Sequence, residues 1–327
     1  MSPPRISFGC TVYDRMLPLY LREVEVKGFE LDFQGSHGVR GVRAIFDAMG
    51  AGKGFDVSEM SSSEYISGRM QGDRRFVAIP VFPSRVFRSS YTFINADRIR
   101  HPRDLQGERI GVPLFTMTAA VFARGHLSDE YGVDFSDCVW VQGSMFDGGS
   151  HGNPSAPPLA RPTQIEINHS GKSLSALLAE GAIDATLGAL IPDTYGKQRH
   201  VQRLFPDYRQ VELQYFKRSG VFPIMHLIVI KREVHERHPE LARALFDAFN
   251  ASKNIALERM MDVGSLQYMV PWLTQDTDEI KEVFGGDPWP YGLEANRPTL
   301  EALTRYLHEQ GLTATKASVD DLFLPVG

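Results

Sequence analysis

A chain of 327 residues, 43% hydrophobic and 23% charged, is long enough to build two domains with separate cores and has the charge density of an ordinary water-soluble protein. Its net charge of −5, with no basic stripe, argues against a nucleic-acid partner, and no run approaches the roughly 18 apolar residues that a membrane span needs. The opening "MSPPRISFGC" has no apolar leader core or small-residue cleavage site, so the expected location is the cytoplasm. Cys10 and Cys138, which fit no metal spacing, are expected there as reduced thiols.

In chain order, "RISFGC", "FELDFQ", "FDVSEM" and "FVAIPVF" read as strands. Between them, Val42, Ile45, Phe46 and Met49 recur at helical spacing, and "SSEYISGRMQG" reads as a helix headed by serines. A second block opens near Ser89. "SSYTFINAD" is extended, "HPRDLQGERIGVP" turns into a strand, and "TMTAAVFARGHLSDEYG" is a helix with threonines at its head. "CVWVQG" and "DATLGALIP" add strands around the helix "SLSALLAEG", whose glycine suits an αL end. The run 143–162, "GSMFDGGSHGNPSAPPLARP", is too rich in glycine and proline for a regular element and is either a lid or a surface excursion. "MHLIVIK" then returns to a strong strand, and the remainder is mostly helical.

A chain that leaves one α/β lobe, builds a second and comes back predicts a hinged, two-lobed α/β fold with mixed sheets and a ligand cleft at the hinge. The expected lobes are 1–88 with 225–327, and 89–224. In such folds ligands bind beyond the carboxyl ends of strands, so the residues after each strand become the candidates. The first strand offers Thr11, Tyr13, Asp14 and Arg15. The second offers Ser36, His37, Arg40 and Arg43. The third runs into a helix start where Ser58, Ser61 and Ser62 and backbone N–H groups make an anion site, matched across the cleft by Thr116 and Thr118. Arg85 and Arg88 at the first crossing offer planar forks for a carboxylate, or pair with acids of the opposing lobe. Glu59, desolvated behind an apolar strand, is expected to have a raised pKa and to hold or pass a proton, or else to pair with an arginine. His226, at the head of the return strand, is either a satisfied core residue or a proton shuttle.

No nucleotide or zinc motif completes itself. "GAGKG" lacks the following Ser or Thr of a P-loop, Glu166 stands where "GKS" would need a glycine, "HERH" has the wrong spacing for a zincin, and there is no G-x-S-x-G elbow.

"FDVSEMSSSEYI", "FVAIPVFPSRVFRSS", "DLQGERIGVPLFTMTAAVFARG", "MFDGGSHGNPSAPP", "SGKSLSALLAEGAIDA" and "GVFPIMHLIVIKREVHERHPELARALFDAF" resemble the 4,5-dihydroxyphthalate decarboxylase family over nearly the whole chain. The resemblance implies a fold like that of type II periplasmic binding proteins. It also implies a cytoplasmic enzyme of aromatic degradation that turns 4,5-dihydroxyphthalate into 3,4-dihydroxybenzoate and CO2 without an organic cofactor. On that reading Arg85 and Arg88 hold the carboxylate that stays, with Thr116, Thr118 and the serine-rich helix end as further donors. Arg15 and Arg40 are additional substrate contacts. His226 is the expected proton shuttle and Glu59 the second choice, while His37 bonds a phenolic hydroxyl or acts as base. No metal site is expected, although His and Asp side chains gathered in the cleft leave room for a divalent ion. The expected partner is a small aromatic dicarboxylate, and a homo-oligomer is compatible with the chain's size. The rival reading is a solute-binding or sensor protein for an aromatic carboxylate, which would need the arginines but no proton shuttle.

Overall fold

The computed structural model describes residues 2–154 and 157–326. Among the described residues, eleven strands form two sheets. They are β1 (Arg5–Thr11), β2 (Glu30–Ser36), β3 (Val57–Ser61), β4 (Phe76–Arg85), β5 (Thr92–Asn95), β6 (Arg109–Val112), β7 (Val139–Gln142), β8 (Ile165–Ile167), β9 (Ala185–Leu187), β10 (Val201–Arg203) and β11 (Ile224–Lys231). The first sheet has the order β2-β1-β3-β11-β4, and the second β10-β5-β9-β6-β7-β8. The chain lays down four strands, crosses, builds six, and returns to insert β11 between β3 and β4. The two crossing segments touch where the Val86 N–H donates to the Pro223 carbonyl at 3.1 Å. Both sheets are mixed: β1 runs parallel to β2 and β3 while β11 is antiparallel to β3 and β4, and β5 is antiparallel to β9 and β10.

β11 is the most apolar strand of the first sheet because it is central and covered on both faces; Leu227 to Ile230 are wholly buried. β4 lies at the edge, which is why it tolerates Pro80 and Pro83, residues with no N–H for a ladder. That edge is capped. Its carbonyls at Ala78, Pro80 and Phe82 accept from the Leu324 and Gly292 N–H groups and the Trp289 indole, all at 2.8–2.9 Å. Opposite the prolines the β4–β11 pairing slips twice, on either side of His226, and irregularities of this kind re-aim the side chain between them.

The helix Leu241–Met261 covers the first sheet with Leu241, Leu245, Ala248, Phe249, Ser252 and Ala256, a stripe at helical spacing. Phe249 and Phe8 are both wholly buried and meet edge to face, with centroids 5.4 Å apart. Phe249→Ala should therefore lower unfolding free energy by about 3–5 kcal/mol. Urea titration checks this, and a loss below about 1 kcal/mol would mean that the contact does not carry the packing assigned to it. The helix Thr118–Tyr131, from the second block, is buried from Thr118 to Leu127 and ends at Gly132 in the αL conformation (φ 65°). A Cβ on its Gly125 would lie 2.5 Å from the Tyr306 ring, so only glycine lets the helix Arg297–Glu309 approach so closely.

Candidate active site

β1 and β3 are parallel and β11 is antiparallel to β3, so the end of β1, the end of β3 and the start of β11 share one edge of the sheet. Register fixes the neighbours: His226 lies opposite Ser61 on β3 and Ser84 on β4. These ends open into a largely apolar cavity of about 400 Å³, walled by Tyr13, Ser61, Arg88, Thr118, His151 and His226 among others.

Behind His226 lies Glu59, whose carboxylate is fully buried and fully bonded. Oε1 accepts from the Tyr13 hydroxyl at 2.7 Å and meets His226 Nδ1 at 2.5 Å. Oε2 accepts from the Thr11 N–H at 2.9 Å and the Cys10 thiol at 3.4 Å. Burial is the largest single influence and pushes the Glu59 carboxyl up, but the His226 charge and these donors together outweigh it and hold the group below the ordinary carboxylate range. The raised pKa expected from desolvation alone is thus corrected. The arginine partner also gives way to a histidine. An ionised carboxylate only accepts, so Nδ1 is the donor and Nε2 is left as the nitrogen for the cavity. The His226 side chain is 18% exposed, and Phe46 abuts its ring edge-on at 4.9 Å. Burial, and next the negative Glu59, push the Cys10 thiol and the Tyr13 phenol up, so both stay neutral donors.

The five candidate arginines separate. Arg88 lines the cavity, only 9% exposed, with Nε against Met225 Sδ at 3.1 Å and its guanidinium over the Tyr91 ring. It has no ion pair among the described residues, and burial lowers it to about 10, so it stays charged at neutral pH. Arg85, expected beside it, turns away. It donates to Asn296 Oδ1 (2.8 Å) and the Phe222 carbonyl (3.0 Å) and ties the C-terminal segment to the sheet, burial lowering it to about 9. Arg15 pairs with Asp14, donates to the Pro83 carbonyl and is sandwiched by Tyr13 and Trp289, outside the cavity. Arg40 is 88% exposed and pairs with Asp147. Arg43, one turn along, does reach the cavity, but Glu64 (2.5 Å) and Asp47 (2.8 Å) already hold it.

Of the hydroxyl candidates at the two helix starts, Ser61 and Thr118 line the cavity. Ser61 Oγ and Thr118 Oγ1 are 3.0 Å apart, and Thr118 Oγ1 also accepts the Ser63 N–H at 3.0 Å, joining the helix starts of the two lobes. Ser58 instead donates to the Glu59 carbonyl, and Thr116 offers only its backbone carbonyl, to Ser63. His37 is exposed just before the helix Gly38–Gly50 and lines an outer vestibule with Arg40 and Asp147, so its expected contact with a ring hydroxyl is not met. Among the described residues no group of three or more His, Cys, Asp or Glu side chains is placed to hold a metal ion, and no helix is long and apolar enough to cross a membrane.

The 143–162 run, in which positions 155 and 156 lie outside the described residues, belongs to the second sheet's side but lies across to the first. Asp147 meets Arg40, the Asn153 N–H reaches Asp47 Oδ2 at 3.2 Å, and the Pro158 carbonyl accepts from Gln71 at 3.0 Å. It also brings His151 into the cavity wall, a residue whose only trace in the sequence is the loop itself.

No family model matches the chain. Among curated proteins it is 33% identical to a 4,5-dihydroxyphthalate decarboxylase of Comamonas testosteroni, over 99% of this chain and 98% of that one. A second protein of that name, from Pseudomonas putida, is 31% identical over 60% of this chain and 74% of its own length. Among solved structures, the periplasmic aliphatic sulphonate binding protein SsuA from Escherichia coli superimposes with a TM-score of 0.53 at 13% identity, covering 98% of both chains. The sulfonate-binding SsuA of Methylobacillus flagellatus gives 0.52 at 14%, covering 99% of this chain and 92% of that one. This identity is low enough that the likeness speaks for the fold alone, the periplasmic-binding-protein-like arrangement expected from the sequence.

Proposed function

The chain belongs to the 4,5-dihydroxyphthalate decarboxylase family, and from that premise we propose that it is a cytoplasmic carboxy-lyase that converts 4,5-dihydroxyphthalate to 3,4-dihydroxybenzoate and CO2. The observation that carries this reading is a Glu59–His226 pair and a buried Arg88, without an ion pair among the described residues, in one small cavity. A receptor for an anion needs the arginine; it has no use for a histidine backed by a buried carboxylate.

In the substrate each carboxylate has a hydroxyl para to it. Loss of the hydroxyl proton drives electron density to the carbon bearing the carboxylate, and that carbon then takes a proton from His226 Nε2. The ring is now a cyclohexadienone; the bond to the carboxylate breaks, its electron pair restores aromaticity, CO2 leaves and the oxygen regains a proton. Net, one proton is consumed, and it returns to His226 from solvent. Glu59 steadies the protonated imidazole and fixes its tautomer, with Tyr13, Thr11 and Cys10 keeping the carboxylate ionised. Arg88 holds the carboxylate that stays, with the Ser61 and Thr118 hydroxyls beside it. The departing carboxylate belongs against the apolar wall of Phe46, Leu114 and Met225, because a cation that held it in the ground state would oppose its loss. No step calls for a metal or organic cofactor.

The test is anaerobic incubation of EDTA-treated protein with 4,5-dihydroxyphthalate, following CO2 and 3,4-dihydroxybenzoate by chromatography. Undiminished turnover after chelation is expected. Tight binding without turnover would give the case to the solute-receptor reading, and recovery only with added Mg²⁺, Mn²⁺ or Zn²⁺ would overturn the metal-free mechanism.

A further inference from the structure

We propose that His151 is the base of this reaction: the imidazole that takes the phenolic proton, brought to the cavity by the segment lying across the cleft. The inference rests on the decarboxylase reading and adds to it the group the mechanism above leaves unnamed.

His151 and His226 line the same cavity but come to it from different sides. His226 belongs to the first sheet, and His151 to the loop that leaves the second sheet after β7. The reaction requires that separation, since the hydroxyl that loses a proton and the carbon that gains one are at opposite ends of the ring. The two imidazoles also have opposite electrostatic partners. His226 is in contact with a buried carboxylate that receives no arginine among the described residues. His151 faces Arg43 and Asp47 from the helix Gly38–Gly50, Glu64 from the helix Ser62–Met70, and Asp147 from its own loop. Arg43 engages Glu64 and Asp47, so neither acid is free to claim His151, which makes no ion pair among the described residues. Burial first, and the Arg43 charge second, hold the imidazole below its ordinary value despite the three acids, so it is neutral at pH 7 and ready to accept a proton. One histidine backed by an acid and one beside an arginine are environments that divide acid from base.

The backbone beyond His151 holds it in place. Gly152 has φ +132° and sits on Arg43: a Cβ there would lie 2.7 Å from Arg43 Cγ and 3.0 Å from Asp47 Oδ2. The next residue, Asn153, donates its N–H to the same Asp47 carboxylate. The loop therefore grips the opposite lobe immediately after the histidine, and docking the loop and installing the base are one event.

In the catalytic cycle the phenolic O–H bond breaks and its proton moves to His151. His226 gives a proton to the ring carbon, CO2 leaves with its bond pair returned to the ring, and His151 hands its proton back to the phenolate oxygen. His151 ends each turnover as it began, and only His226 is recharged from solvent.

The experiment compares parent, His151→Gln and His151→Ala for kcat, substrate affinity by calorimetry, melting temperature and the pH profile. Expected are a fall in kcat of about 10²- to 10³-fold in both variants, with affinity and melting temperature little changed. The acid limb of the parent profile, lying below about pH 6.5 because the neutral imidazole is the active form, should disappear. Added imidazole should restore part of the His151→Ala rate, which a merely structural role would not allow. Variants within threefold of the parent, an unmoved acid limb, or lost binding without chemical rescue would each overturn the inference while leaving the decarboxylase reading in place. A parent inert toward 4,5-dihydroxyphthalate would overturn both.

Discussion

His226→Asn lowers kcat by about 10²- to 10⁴-fold and leaves substrate affinity within a few-fold of the parent, the signature of a group that acts only on the path to the transition state. Asparagine is preferred to alanine for a physical reason. Glu59 is wholly buried, and His226 is one of its four donors. Removing that donor leaves a buried carboxylate short of a partner, and breaking such a pair costs about 3–5 kcal/mol of stability, enough to confuse lost chemistry with lost fold. An asparagine amide still offers Oε1 an N–H but carries no proton that it can transfer at neutral pH. Single-turnover kinetics together with binding calorimetry make the check. A kcat within threefold of the parent would remove His226 from proton transfer and leave it a fixture of the wall.

Arg88→Met weakens substrate binding by about 2–5 kcal/mol, roughly 30- to several-thousand-fold in KM or Kd, with a smaller change in kcat. Arg88 is a buried guanidinium of the cavity with no ion pair among the described residues, so a carboxylate entering beside it gains a full charge-assisted contact in a dry site. Stability gives a second, opposite signature. With no ligand bound, an unpaired buried cation is a burden on the fold, so the methionine variant should melt no lower than the parent. Unchanged KM with a lower melting temperature would recast Arg88 as a structural residue of the Tyr91 and Met225 contact.

Much of the first sheet was legible because its strands are apolar runs between turn signals, and β11 showed the strongest pattern of all. β8 and β10 were not seen. They are three-residue strands at the two edges of the second sheet, with outward faces in solvent, and a strand paired on one side only needs no hydrophobic run. In the site, Ser61 and Thr118 stand at helix starts that follow strands, Arg88 and His226 stand at the two crossings, and all four line the cavity. Arg85 and Arg88 look alike in sequence, but Arg85 is the last residue of an edge strand and faces Asn296, while Arg88 comes after the chain has turned toward the second lobe. Glu59 was misread for a related reason: its burial is local and visible, whereas its donors lie 46 to 49 residues earlier on β1 and just beyond it, and 167 residues later on β11. His151 gave no pattern, since nothing in a glycine-rich loop says which way it folds.

The position of β11 also governs how the molecule comes off the ribosome. By the time Pro223 has been made, the sequences of four strands of the first sheet and all six of the second have been synthesised, yet β3 and β4, which are joined only through β11, have no ladder between them. Until the next eight residues emerge, the nascent first lobe offers two unpaired inner edges to any neighbour, and its core cannot close. The strand that joins β3 to β4 is the one that carries His226, so a chain ended before it lacks that histidine and the centre of the first sheet together.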